Sequence, residues 1–127
     1  MKTILVDAIN TFVNVEGEIF NEMYILLQEY SNLKIILTGA NDEQIHQFGL
    51  KKMPYELFTL KHNPEKTDPS YYKTMLQHFN LDAKNTIYFE HNNDAVKSAK
   101  SLGINTYHYN KDKKDLAALR DFIDRNL

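Results

Sequence analysis

The sequence contains no cysteine, so disulfide bonds, thiolate metal sites and a cysteine nucleophile are all excluded. It also contains no apolar run that approaches the ~20 residues that a membrane-spanning helix needs. The sequence also lacks a large excess of positive or negative charge, because 15 basic residues stand against 17 acidic ones and the net charge is −2. Such a balance offers no general attraction to nucleic acid or to an anionic membrane, and we expect neither as a partner.

The rest of the composition is that of an ordinary globular domain, with 43% hydrophobic and 25% charged residues. A chain of 127 residues has the usual size of one domain, which we place at residues 1–127. The apolar segment before Asp7 reads as a strand and ends too soon for a signal peptide. We therefore expect a cytoplasmic protein that is a monomer or a weak homodimer.

Segments of strand length alternate with segments of helical periodicity along the whole chain. The predicted strands are residues 3–7, 34–38, 57–60, 86–90 and 104–109. Apolar residues at helical spacing predict helices over residues 18–30 and around 72–79, 96–102 and 116–123. Asp68 before Pro69, and Asn92 or Asn93, predict two helix starts. The alternation indicates an α/β protein, a Rossmann-like three-layer sandwich with a parallel sheet.

Four short segments at the ends of predicted strands, or in the loops between them, carry side chains suited to chemistry. They are Asp7-Ala8-Ile9-Asn10-Thr11, Leu37-Thr38-Gly39, Lys66-Thr67-Asp68-Pro69 and Phe89-Glu90-His91-Asn92-Asn93-Asp94. In order and spacing they resemble the four motifs of the haloacid dehalogenase-like (HAD) phosphohydrolase superfamily. The likeness covers nearly the whole chain and implies a HAD-like fold. We accordingly predict a five-stranded parallel sheet in the order 3-2-1-4-5, with the site at the carboxyl ends of the strands.

The resemblance implies a role for each matching residue. Asp7 is the expected nucleophile, which attacks phosphorus and forms an aspartyl-phosphate that water then hydrolyses. Lys66 is the expected second catalytic residue, because it offsets the charge of the nucleophile and the phosphate. The residues expected to bind substrate are Asn10, Thr11, Thr38 and Gly39.

Magnesium is the cofactor that the resemblance implies, and we expect it to bind weakly. The expected ligands are Asp7, the backbone carbonyl of Ile9, Glu90 and Asp94, because magnesium prefers hard oxygen ligands in a nearly octahedral shell. Glu90 stands where the family has aspartate. Its extra methylene displaces the metal or weakens its binding, and Asp94 lies further along the same loop as a compensating carboxylate.

Ile9 is the main departure from the family pattern. Phosphatases of the family have a second aspartate there, which protonates the leaving group and later activates water, and isoleucine can do neither. We therefore expect weak activity, or activity limited to acyl and aryl phosphates, whose leaving groups need no proton. His91 has two interpretations, as a hydrogen-bonded structural group or as a replacement acid or phosphate contact, and the sequence leaves both open.

Only residues 12–33 separate the first motif from the second strand, which leaves no room for a cap domain. A capless site is open, so it suits a phosphorylated macromolecule as well as a phosphorylated small molecule, or needs a second subunit to cover it. The alternative function is a catalytically inactive HAD-fold binding or interaction protein. A flavodoxin-like or receiver domain fits less well, because receivers gather an acidic pair after the first strand.

Overall fold

The computed structural model describes all 127 residues and contains five strands and five α-helices. The strands are β1 (Thr3–Asp7), β2 (Lys34–Leu37), β3 (Glu56–Phe58), β4 (Thr86–Glu90) and β5 (Asn105–His108). The helices are α1 (Asn21–Gln28), α2 (Asp42–Gln47), α3 (Pro69–His78), α4 (Asn93–Ser101) and α5 (Leu116–Asn126). Short 3₁₀ turns at Leu50–Lys52 and Ala83–Asn85 complete the regular structure.

All five strands form one parallel sheet in the order β3-β2-β1-β4-β5, which confirms the predicted topology. The central strand is β1, whose five residues are all buried. Burial on both faces explains why this strand reads as a continuous apolar run before Asp7. In register, Asp7 lies beside Leu37 of β2, and Val6 lies beside Phe89 of β4.

Helices cover both faces of the sheet, because alternate residues of each strand point to opposite faces. On one face Ile4 and Val6 pack in a cluster with residues of α1 and α5, including Met23 and Leu119. On the other face Leu5 packs in a second cluster with residues of α3 and α4. The result is the three-layer sandwich that the sequence predicts.

Two helices differ from the prediction. The first helix begins at Asn21 rather than at residue 18, because Asn14 Oδ1 accepts hydrogen bonds from the backbone N–H groups of Glu16 and Glu18 and holds that segment in a turn. Helix α2 has no predicted counterpart, since none of its residues is buried and it shows no apolar periodicity. Its sequence signal is a capping box formed by Asn41 and Gln44.

The carboxyl edge of the sheet is not covered by a cap domain. Between β1 and β2 the chain forms a turn and α1, and between β2 and β3 it forms α2 and one 3₁₀ turn. None of the helices combines the length and the apolar surface that crossing a membrane requires.

Candidate active site

A cavity of about 300 Å³ lies at the carboxyl edge of the central strands. Asp7 is the last residue of β1, and Glu90 is the last residue of β4. Thr38 follows β2 directly, and Lys66 lies in the loop just before α3, whose first turn Asp68 caps. Because the strands are parallel neighbours, their last side chains and this loop meet at one edge, and Asp7, Thr38, Lys66 and Glu90 all line the cavity.

Asp7 is held through both of its carboxylate oxygens, and its side chain is only 3% exposed. Oδ1 accepts a hydrogen bond from Lys66 Nζ at 2.7 Å. Oδ2 accepts from Thr11 Oγ1 at 2.6 Å and lies 2.5 Å from His91 Nδ1. Since an ionised carboxylate can only accept, Nδ1 carries the proton in this contact. Oδ2 is therefore saturated, whereas Oδ1 accepts one side-chain hydrogen bond and keeps a free lone pair.

Glu90 is also buried and fully hydrogen-bonded. Its Oε1 accepts from Tyr88 Oη at 2.5 Å and lies 2.6 Å from Lys66 Nζ. Its Oε2 accepts from the Asn92 backbone N–H at 3.0 Å and lies 3.3 Å from His91 Nδ1. The ammonium of Lys66 thus bridges Glu90 to Asp7, while His91 Nδ1 faces the other oxygens of the same two carboxylates.

The ionisation of the cluster follows from these contacts. Burial by itself raises the pKa of Asp7, but the Lys66 ammonium and the His91 hydrogen bond overcome it and hold the pKa well below its usual range. Burial and the Asp7 charge raise the pKa of Glu90, against the opposing effect of Lys66. Burial lowers the pKa of Lys66, yet the two carboxylates raise it well above its ordinary value. Asp7 is therefore an anion beside a permanent cation.

His91 is fixed from its backbone as well as from its ring. Its own N–H points to Asp7 Oδ2 at 3.3 Å, and its carbonyl lies 2.9 Å from His108 Nε2. The hydrogen bond from Nδ1 to Asp7 raises the pKa of His91, against the effect of partial burial. The ring lines the cavity, and its second nitrogen, Nε2, has no hydrogen-bond partner within the protein.

Comparison with known proteins supports the fold. No protein-family profile and no curated protein matches the sequence. Among solved structures, a wild-type HAD family enzyme of Bacteroides thetaiotaomicron, in complex with magnesium and inorganic phosphate, matches with a TM-score of 0.66 at 14% identity, over 84% of this chain and 93% of that one. The core domain of a candidate phosphoglycolate phosphatase from Streptococcus pneumoniae matches with a TM-score of 0.63 at 16% identity, over 98% and 96% of the two chains.

This chain has a HAD-like fold. Identities of 14% and 16% carry no statement beyond the fold, so the chemistry of the site has to be argued from its own residues.

The HAD-like fold brings most of the predicted site residues to one place. The predicted site residues that line the cavity are Asp7, Ile9, Thr38, Gly39, Lys66 and Glu90. Thr38 is 4% exposed, and its Oγ1 accepts a hydrogen bond from the Ala40 N–H at 3.2 Å. Thr11 does not line this cavity but a separate polar one, while its hydroxyl donates to Asp7 Oδ2 and so orients the carboxylate.

Two predicted site residues lie elsewhere. Asn10 is exposed with a positive φ of 67°, and the turn directs it to a separate polar cavity that it shares with Asn14 and Glu18. Asp94 is exposed in the first turn of α4, where its backbone N–H is bound by the capping residue Asn92. Because Asp94 is held in the first turn of α4, it is not part of the cluster of Asp7, Glu90 and His91.

Sequence reasoning missed several residues that complete the site. Tyr88 binds Glu90, and a signal existed, since residues two apart on a strand share a face. His62 and Gln44 line the cavity and contact each other at 2.5 Å, while His62 also lies 3.0 Å from Glu65. This rim joins α2 to the loop before α3, and no local pattern in the sequence indicates it.

The residues of this site do not fit magnesium as they lie, although the solved neighbour from Bacteroides holds that ion. The predicted shell comprises Asp7, the Ile9 carbonyl, Glu90 and Asp94, of which Asp94 is outside the cluster. The three side chains whose ligand atoms lie within 4.8 Å of one another are Asp7, Glu90 and His91, and the third contributes nitrogen rather than a hard oxygen.

Proposed function

We propose that this protein is a HAD-type phosphohydrolase that carries a phosphoryl group transiently on Asp7. The observation that supports the proposal is the ion pair between Asp7 and Lys66, 2.7 Å long, at the base of an accessible cavity. The ammonium keeps the buried carboxylate ionised and supplies positive charge where a phosphate would lie. An ion pair with a purely structural role needs no cavity in front of it. Burying an ion pair also seldom increases the stability of a protein.

The proposed reaction has two displacements at phosphorus. Asp7 Oδ1, which keeps a free lone pair, attacks the phosphorus atom, and the bond between phosphorus and the leaving-group oxygen breaks with its electron pair on that oxygen. Lys66 offsets the charge on the phosphoryl oxygens during this step. Water then attacks the aspartyl-phosphate at phosphorus, which releases inorganic phosphate and restores the Asp7 carboxylate.

Ile9 restricts the substrates of this reaction. Ile9 lines the cavity, as Phe48 and Ala40 do, and none of these three side chains can donate a proton. A leaving group that departs there has to be stable as an anion, which holds for a carboxylate or a phenolate and fails for an alkoxide. Acyl and aryl phosphates are therefore the proposed substrate class. The absence of a cap domain also leaves room for a phosphoryl group attached to a macromolecule.

Turnover by the purified protein tests the proposal. We expect hydrolysis of acetyl phosphate and para-nitrophenyl phosphate, and hydrolysis of an alkyl ester such as glycerol 2-phosphate slower by roughly the 10²–10⁴-fold that a positioned acid contributes. Asp7→Asn should eliminate both activities, with thermal unfolding used to show that the variant is folded. The proposed phosphohydrolase activity would be rejected if Asp7→Asn still hydrolysed these substrates. It would also be rejected if the wild type hydrolysed neither acetyl phosphate nor para-nitrophenyl phosphate.

The alternative function is a catalytically inactive HAD-fold protein that binds a phosphorylated ligand. Its support is that Ile9 replaces the acid, while Oδ2 of Asp7 and both oxygens of Glu90 are already engaged by neighbouring groups. This alternative predicts that inorganic phosphate stabilises the protein against unfolding although no substrate is turned over.

A further inference from the structure

The contacts of His91 with the cluster are the basis of an inference that deepens the proposed function, since it concerns the same site. Lys66 Nζ contacts Asp7 Oδ1 and Glu90 Oε1, at 2.7 and 2.6 Å. On the opposite side, His91 Nδ1 lies 2.5 Å from Asp7 Oδ2 and 3.3 Å from Glu90 Oε2. Each carboxylate therefore lies between Lys66 and His91.

We propose that the protonated ring of His91 takes the place of a divalent cation: Nδ1 neutralises Asp7 and Glu90, and Nε2 donates to an oxygen of the bound phosphoryl group. His91 Nδ1 contacts one oxygen of each carboxylate, Asp7 Oδ2 and Glu90 Oε2, so a magnesium ion that used these two oxygens would have to displace the ring.

The charges of the cluster agree with this assignment. With the His91 ring protonated, as its contacts with two carboxylates favour, the two carboxylates, the ammonium and the imidazolium would sum to zero in a site where Asp7 and Glu90 are 3% and 1% exposed. Buried charges need such pairing. A divalent ion added to the same set would leave two uncompensated positive charges until an anion arrived.

The position of His91 is fixed well enough for this task. Its backbone N–H is directed to Asp7, its carbonyl contacts His108, and Asn92, the next residue, caps α4. The ring is 21% exposed and lines the cavity, with Nε2 free of any partner in the protein. One nitrogen thus holds the nucleophile while the other is available to a phosphoryl oxygen.

A magnesium titration of the EDTA-treated protein tests the metal part of the inference. The wild-type unfolding temperature should not change with magnesium chloride. His91→Asp removes the ring and adds a third carboxylate, so it should gain a magnesium-dependent rise that grows with the logarithm of concentration above the dissociation constant. The matched control is His62→Asp, which adds a carboxylate at the rim of the same cavity, in contact with Gln44 and Glu65 rather than with Asp7, and should gain none.

Binding of inorganic phosphate in EDTA tests the role of Nε2. Phosphate should stabilise the metal-free wild type against thermal unfolding, and His91→Asn should weaken its apparent affinity about tenfold or more, the factor expected from losing one charge-assisted hydrogen bond. This variant keeps a small polar side chain and provides the test even where His91→Asp does not fold.

The inference is overturned if magnesium stabilises the wild type, or if phosphate binds His91→Asn as tightly as the wild type. The proposed function has a separate outcome. Asp7-dependent turnover that requires magnesium would support the proposed enzyme and overturn the inference about His91. Metal-free phosphate binding through His91 without any turnover would support the inference and overturn the proposed enzyme.

Discussion

Replacing Lys66 with methionine should destabilise the protein severely. The side chains involved are 13%, 3% and 1% exposed for Lys66, Asp7 and Glu90, so water cannot take over the role of the ammonium. Removing one partner of such a buried pair costs ~3–5 kcal/mol, because the other charge is left uncompensated. The total free energy of unfolding of an ordinary domain is only ~5–15 kcal/mol, so this loss would be a large fraction of it.

Urea unfolding at neutral pH measures the loss. With a slope of ~2 kcal/mol per M, the midpoint of Lys66→Met should fall by about 2 M. The matched control is Lys61→Met, which breaks an ion pair with Asp42 whose side chains are 57% and 80% exposed. That control should change the free energy of unfolding by less than ~1 kcal/mol.

Acidification should partly rescue Lys66→Met. Burial and the Asp7 charge already raise the pKa of Glu90 in the folded wild type, and loss of the ammonium raises it further. A group with a raised folded-state pKa contributes stability that is complete below its unfolded pKa and is lost as pH rises through the folded value. The variant should therefore regain stability relative to the wild type as pH falls. A loss no larger than that of Lys61→Met would refute the buried, charge-compensated cluster.

Three further predictions concern neighbouring residues. The hydrogen bond to Asp7 raises the pKa of His91, so wild-type stability relative to His91→Asn should fall as pH rises above 6.5, and parallel pH profiles in urea would contradict it. Tyr88→Phe removes a donor to the buried Glu90 carboxylate and should cost ~1–3 kcal/mol in urea unfolding, whereas no cost would mean that the bond is absent. Asn92→Ala removes the side chain that accepts hydrogen bonds from two backbone N–H groups of α4, so it should lower the free energy of unfolding in urea by ~1 kcal/mol. An unchanged free energy of unfolding would contradict this capping role.

The α/β class could be predicted because the strands are buried on both faces and two helix starts are explicit, whereas the strand order was predicted from the resemblance of the four motifs. Continuous apolar strands such as β1 and β4 require a doubly covered parallel sheet, and Asp68 with Pro69 marks the start of α3. Helix α2 was not predicted because none of its residues is fully buried and only its capping box marks it in the sequence. Strand ends shifted by one or two residues for the usual reason, that pairing rather than composition ends them.

The sequence places part of the candidate site through strand ends, and it places Lys66 through the resemblance of Lys66-Thr67-Asp68-Pro69 to a family motif. Asp7, Thr38 and Glu90 follow directly from being the last residues of strands or the residue after one. Whether Asp94 faces the cavity depends on where α4 begins, and whether His91 turns toward Asp7 depends on long-range hydrogen bonds. Local patterns carry no information on either point.

Asp7 is the proposed acceptor of the phosphoryl group, and one measurement addresses this role directly. The protein is mixed with acetyl phosphate in EDTA, quenched in acid within the time of a turnover, and examined by intact-mass and peptide mass spectrometry. We predict a population heavier by one phosphoryl group, with the modification on Asp7, which is released on incubation at neutral pH and is absent in Asp7→Asn. A mass unchanged at every quench time, both in EDTA and after magnesium is added, or a phosphoryl group located on any other side chain, would contradict the role of Asp7 as the acceptor.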